Sequence, residues 1–180
     1  VIVGRTEKMS KSKKNVIDPQ KIISTFGADT ARFFMLSDSP PNRDMEWSDA
    51  GIDGSWRFLN KLWKFIQSIQ AYEVTDTLPK NLSDSNKELL RALNISIKEI
   101  TQSIDDFHFN NAIASIRSLF NSMLSYKVYN KSDQTIIMYT TKKLLILINP
   151  MIPHIAEELW ENLNGHEMIC NQAWPEVDIS

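Results

Sequence analysis

From Ile52 onward the large apolar residues of this chain recur at steps of three and four. Ile52, Trp56, Leu59, Trp63 and Ile66 form one stripe, with Phe58, Leu62, Phe65 and Ile69 a second beside it. That spacing aligns side chains along one flank of an α-helix, and two adjoining stripes predict a helix packed between neighbours. Ser48 and Asp49 precede it as a capping pair, and its remaining face carries Arg57, Lys61 and Lys64. Leu90, Leu93, Ile97, Ile100 and Ile104 repeat the rhythm behind Ser85 and Glu88, which fit a capping box. Asp105-Asp106 closes that helix, and Phe109, Ile113, Ile116, Phe120 and Met123 mark the next. Ser132-Asp133 opens an apolar helix, Ile136 to Ile148, that ends at Pro150; Pro153 starts the last, with Ile155, Leu159, Trp160 and Leu163. No period-2 alternation of useful length comes after Val3. The predicted fold is mainly α, an antiparallel helix bundle, because short connections favour antiparallel neighbours.

Ahead of the bundle the pattern changes. Residues 1–16 are a short apolar run and then a lysine- and serine-rich loop, in which Met9 is the one large apolar side chain after Val3 and before Val16. Little burial is available to hold such a loop, which predicts a mobile segment with Met9 as its small anchor. Asp18-Pro19 signals a helix start, with Asp as cap and Pro in the first turn. That helix carries Ile22 and Ile23 and stops near Gly27. A second, Ala28 to Leu36, buries Phe33, Phe34 and Leu36, and Ser37 to Asn42 makes a proline-broken turn. Residues 71–83 read as a connector. Val1-Ile2-Val3 reads as the middle of a buried element, so the chain is expected to be part of something longer.

Composition narrows the class without naming it. The 180 residues are 42% hydrophobic, suited to a globular core, and no apolar run reaches the ~18 residues of a membrane span. A single cysteine, Cys170, and the lack of a secretory leader favour the cytoplasm. The net charge of −2 hides an imbalance: residues 1–70 hold 11 Lys/Arg against 8 Asp/Glu, the remainder 9 against 14. An anionic ligand therefore belongs at the amino-terminal end. His108, His154 and His166 lack metal-ligand or triad spacing, so no metal site is expected, and His154 with Glu158 reads as a surface pair.

Chemistry concentrates between Glu7 and Asn15. Most lysine runs are solvated faces. Yet Lys8 and Lys11, three apart, with hydroxyls at Ser10 and Ser12, also suit a polyphosphate, since ammonium groups are compact charges and hydroxyls add neutral donors. Both readings stand on the residues alone.

Lys8-Met9-Ser10-Lys11-Ser12 resembles the KMSKS signature of class I aminoacyl-tRNA synthetases. Asn15 to Pro19 and Gly27 to Arg32 are similar to the segment after that loop in the Leu/Ile/Val subgroup. Ser39-Pro40-Pro41, Asp44 to Ser48 and Gly51 to Trp63 resemble the leucine members in particular. Asn149 to His154 with Glu157 to Trp160 resembles the last helix of their helical domain, and Gln172 to Pro175 its exit strand region. Valine and isoleucine members usually have Leu-Gly where this chain has Lys13-Lys14, which favours leucine and predicts a stiffer turn before Asn15.

The resemblance implies that residues 1–47 end a catalytic domain, with the loop and stem-contact helices, and that 48–180 form a helical anticodon-binding domain. It implies activation of leucine by ATP, with accompanying Mg2+ but no protein metal ligands, and transfer to tRNA(Leu). Lys11 and Lys8 become the catalytic contacts to the phosphates, and Met9, Ser10, Ser12 and Asn15 the rest of the ATP loop. Arg57, Lys61, Lys64 and Arg117 become candidates for the tRNA backbone, although Asp53 could balance Arg57 on a plain solvated stripe. Trp47, Trp56, Phe58, Trp63 and Phe65 could stack on bases, but their helical spacing assigns them to the core. A monomer without aminoacylating activity of its own is expected. Two alternatives stay open at this point: a valine, isoleucine or methionine member, and a non-catalytic helical RNA-binding module.

Overall fold

The computed structural model describes residues 7–72 and 77–177. The reading of Val1-Ile2-Val3, and positions 73–76 of the connector, lie outside them. Among the described residues there are seven α-helices: α1 (Pro19–Phe26), α2 (Ala28–Asp38), α3 (Asp49–Ile69), α4 (Asp84–Asp105), α5 (Phe109–Ser125), α6 (Lys131–Ile148) and α7 (Pro153–Asn162). A 3-10 turn, Ile169–Asn171, comes last, and among the described residues there is no strand, including at Gln172 to Pro175.

The two expected stripes of α3 resolve into one seam. Its buried residues are Ile52, Ser55, Leu59, Leu62, Ile66 and Ile69, alternating steps of three and four in a strict heptad rhythm. The aromatic residues flank that seam: Phe58, Trp63 and Phe65 are half-buried, whereas Trp56 is 45% exposed. The core assignment of Trp56 is thereby corrected. Ser55 occupies the position an apolar count passes over, and its hydroxyl is satisfied by donating to Gly51 O at 3.2 Å.

Helices α4 and α5, joined by the three-residue turn Asp106 to His108, pack as an antiparallel pair, and α6 lies against both. In α6, 12 of 18 residues are buried, which makes it the centre of the bundle. Two starts differ from expectation. Ser83, rather than Ser85, caps α4 by accepting the Asn86 N–H at 3.2 Å. Asn130, rather than Ser132, caps α6 by accepting the Asp133 N–H at 3.0 Å. Asp133 and Asn86 are instead buried partners of Tyr126, whose hydroxyl shares its one hydrogen between Asn86 Oδ1 at 2.8 Å and Asp133 Oδ1 at 3.2 Å. Phe33 and Phe34 of α2 are buried as expected, and Leu36 is half-buried.

Two glycines set how the amino-terminal helices meet this bundle. Gly27 adopts φ 84° between α1 and α2, a left-handed value that favours glycine. At Gly51 a Cβ would fall 2.5 Å from a ring carbon of Phe34, so glycine there lets α3 approach α2.

Candidate functional site: the lysine loop and its mounting

The loop is closed by its own polar groups rather than by burial. Lys13 N donates to Ser10 O and Lys14 N to Lys11 O, each at 3.2 Å, forming successive turns. Asn15 then ties the two sides together: its Oδ1 accepts the Ser10 N–H at 2.8 Å and its Nδ2 donates to Lys8 O at 3.4 Å. The Asn15 side chain is thus spent inside the loop. Ser10 Oγ and Ser12 Oγ lie 3.2 Å apart. Lys14 takes φ 55°. A side chain in that left-handed region costs of order 1 kcal/mol.

Charge is distributed unevenly over these lysines. Lys13 Nζ pairs with Glu7 Oε2 at 2.8 Å. Among the described residues Lys8 and Lys11 have no acidic partner, and both are exposed. Two ammonium groups three residues apart, hydroxyls beside them and a closed turn make a cationic, donor-rich surface suited to phosphate oxygens. Met9 is 41% exposed and does not belong to the hydrophobic core of the bundle.

Behind the loop, Asp18 caps α1 by accepting the Gln20 N–H at 3.0 Å, with Pro19 in the first turn. No residue of α1 is buried. Fastening to the bundle begins in α2, at Asp29 and Arg32. Asp29 Oδ2 accepts the Ile155 N–H at 2.6 Å, and His154 Nδ1 lies 2.8 Å from Asp29 Oδ1. A carboxylate only accepts, so the hydrogen sits on Nδ1. The surface pairing of His154 with Glu158 is replaced by this contact across 125 residues. Arg32 donates to Pro150 O at 2.9 Å and Met151 O at 3.2 Å. Spacing along the chain gave no sign of these links; the nearest signal is that Gly27 to Arg32 and Asn149 to His154 each form a distinctive run.

Arg57, Lys61 and Lys64 lie exposed on α3, and Arg57 Nε donates to the main-chain oxygen of Asp53 at 3.4 Å rather than to its carboxylate. Arg117 lies on α5 and reaches over to α3. Its guanidinium covers Phe58 at 4.7 Å and Phe33 at 5.2 Å, two rings stacked 5.1 Å apart between α2 and α3. Burial pushes its pKa down, and the ring faces hold it where it is.

Elsewhere the candidates thin out. A cleft of about 500 Å³ between α4 and α5, lined by Ser85, Glu88, Asn121, Tyr126 and neighbours, is lined by no cation. Among the described residues no cluster of His, Cys, Asp or Glu could hold a metal ion, and no helix is long and apolar enough to cross a membrane.

Against known proteins, residues 86–180 match the family described as the anticodon-binding domain of tRNA ligase. Residues 1–48 match class I tRNA synthetases of the I, L, M and V group. A leucine–tRNA ligase of Paramagnetospirillum magneticum is 43% identical over 97% of this chain and 20% of its own length. One from Desulfotalea psychrophila is 43% identical over 99% of the chain and 22% of its own. The chain thus spans about a fifth of the length of the curated relatives it matches. Among solved structures, a LeuRS of Agrobacterium radiobacter, in a ternary complex with tRNA and LeuAMS, superposes with TM-score 0.84 at 28% identity, covering 95% of this chain and 22% of that one. A methionyl-tRNA synthetase of Mycobacterium tuberculosis shares the fold, with TM-score 0.70 at 18% identity over 84% of this chain and 35% of that one. Residues 86–180 make up more than half of the chain, so the chain belongs to the family of the anticodon-binding domain of tRNA ligases.

Proposed function

We propose that the protein to which this chain belongs joins leucine to tRNA(Leu) at the expense of ATP, and that residues 8–15 act on the phosphates during activation. One observation carries the reading: in a chain related to leucine–tRNA ligases, a self-closed turn presents Lys8 and Lys11 without acidic partners. In activation, a leucine carboxylate oxygen attacks the α-phosphorus of ATP. The bond to the bridging oxygen breaks, and pyrophosphate leaves with the added negative charge. Cations that tighten on that charge as it develops lower the barrier. Lys11 is the principal contact and Lys8 the second, with the hydroxyls of Ser10 and Ser12 as neutral donors. Asn15 contributes by holding the turn that presents them, and Met9, exposed beside the lysines, lies on the surface that ATP would cover. The donor set suits a polyphosphate. Mg2+ accompanies the ATP phosphates in this reading.

The same reading divides the chain into 1–47, the end of the catalytic domain, and 48–180, the tRNA-binding helical domain. The irregular segment between α2 and α3 supports that boundary. Arg57, Lys61 and Lys64 meet the tRNA backbone, since A-form RNA offers phosphates and 2′-hydroxyls more readily than base edges. Arg117 is a weaker candidate, being committed to Phe33 and Phe58. The parent protein works as a monomer in the cytoplasm, where tRNA is charged. The chain alone, which holds about a fifth of the length of its relatives, does not aminoacylate. Amino-acid-dependent ATP–pyrophosphate exchange by the full-length parent tests the reading. Leucine should drive it. Exchange driven by valine, isoleucine or methionine instead, or by no amino acid, would overturn it.

A further inference from the structure

Asp29 and Arg32 stand one helical turn apart and grip opposite poles of one corner. Asp29 is only 4% exposed, and its carboxylate meets the first turn of α7 at Ile155 N and His154 Nδ1. The residue at the cap position of α7, Ile152, provides no side-chain acceptor, so Asp29 supplies one from another helix. Arg32 takes the Pro150 and Met151 oxygens just beyond the end of α6. An anion at a helix start and a cation at a helix end each oppose the local dipole. By contrast α1, which carries the loop, has no buried residue and is set off from α2 by the left-handed Gly27. The loop's position relative to the bundle is therefore passed on through α2, and these four contacts fix that end of α2.

We propose that Asp29 and Arg32 are positioning residues for the phosphate-binding loop. They hold the base of an arm whose 8-residue α1 is about 12 Å long, so a small turn of α2 is enlarged at Lys8 and Lys11. This rests on the function proposed above, in which those lysines act on the leaving pyrophosphate. Catalytic groups displaced by about 1 Å lose as much as two orders of magnitude in rate, and the loss falls on turnover when the contact tightens in the transition state.

The experiment is leucine-dependent ATP–pyrophosphate exchange by the full-length parent carrying Arg32→Gln, Asp29→Asn, Asp29→Ala or Lys11→Ala. Arg32 is exposed, so Arg32→Gln leaves no cavity and keeps the test valid even if Asp29→Ala fails to fold. Arg32→Gln should lower kcat about tenfold while the KM for ATP and the Kd for tRNA stay within about twofold. Asp29→Asn, which keeps an acceptor oxygen for the Ile155 N–H, should retain most activity, and folded Asp29→Ala should not. Unchanged kcat in Arg32→Gln would overturn the inference, as would a kcat loss matched by the loss of titratable active sites. If Lys11→Ala is impaired and Arg32→Gln is not, the inference alone fails. If Lys11→Ala is silent too, the proposed function fails with it.

Discussion

Tyr126 ends α5 where the first turns of α4 and α6 converge, and a single oxygen joins the three. Tyr126→Phe removes that oxygen and little else. The hydroxyl shares its one hydrogen between Asn86 Oδ1 at 2.8 Å and Asp133 Oδ1 at 3.2 Å. Asp133 keeps the Tyr129 N–H at 3.0 Å, but Asn86 Oδ1 is left buried without this donor. A hydrogen bond to a charged acceptor contributes about 1.5–3 kcal/mol, and a stranded buried acceptor costs a similar amount, so we expect about 2 kcal/mol of lost stability. For a chain of this size that is a fall of about 5 °C in Tm, read by circular dichroism at neutral pH. The same group sets an alkaline limit. Burial, then the Asp133 charge, then the hydrogen bond to it, push the Tyr126 pKa well above its ordinary 10.0. The folded state thus holds the phenolic proton at pH values where the unfolded state releases it. The stabilisation is complete below about pH 10 and declines as pH rises towards the folded value. Tyr126→Phe should lack that share of the alkaline decline. A Tm within about 1 °C of wild type would mean that the buried acceptors are satisfied otherwise, and that the hydroxyl joins nothing of consequence.

Leu62→Ala should cost about 2–5 kcal/mol in urea unfolding, whereas Trp56→Ala, off the seam of α3, should cost about 1 kcal/mol. Equal costs would return Trp56 to the core. In the full-length parent, Arg57→Ala, Lys61→Ala and Lys64→Ala should each weaken tRNA binding regardless of sequence and flatten the dependence of log K on log salt by about one. An unchanged salt slope would make the stripe a solvated face.

The helices were readable from the chain because each buries a face long enough to impose a period. Their fine detail was not, wherever a tertiary partner outweighed the local pattern. Ser85-to-Glu88 fits a capping box better than Ser83-to-Asn86 does, yet Asn86 is drawn inward by Tyr126 and Ser132, which makes Ser83 the cap. Asp133 looks like a helix opener, but its carboxylate is held by Tyr126 and Tyr129. The double stripe of α3 hid a simpler seam because Ser55 is buried without being apolar. In the loop, the low burial of Lys8 and Lys11 was legible in the scarcity of apolar neighbours. Which lysine would be neutralised was not, because Glu7 could have reached several. The strut of Asp29 and Arg32 had no local signature, since hydrogen bonds between residues more than a hundred positions apart leave no periodicity.

If Lys11 acts on the phosphates during activation, its removal must slow the chemical step itself. Single-turnover formation of leucyl-adenylate by the full-length parent with Lys11→Ala isolates that step. Adenylate formation should be slower by about two orders of magnitude, roughly 3 kcal/mol in the barrier, with transfer from preformed adenylate to tRNA unchanged. Adenylate formation at the wild-type rate, with the loss confined to transfer, would contradict the role given to Lys11.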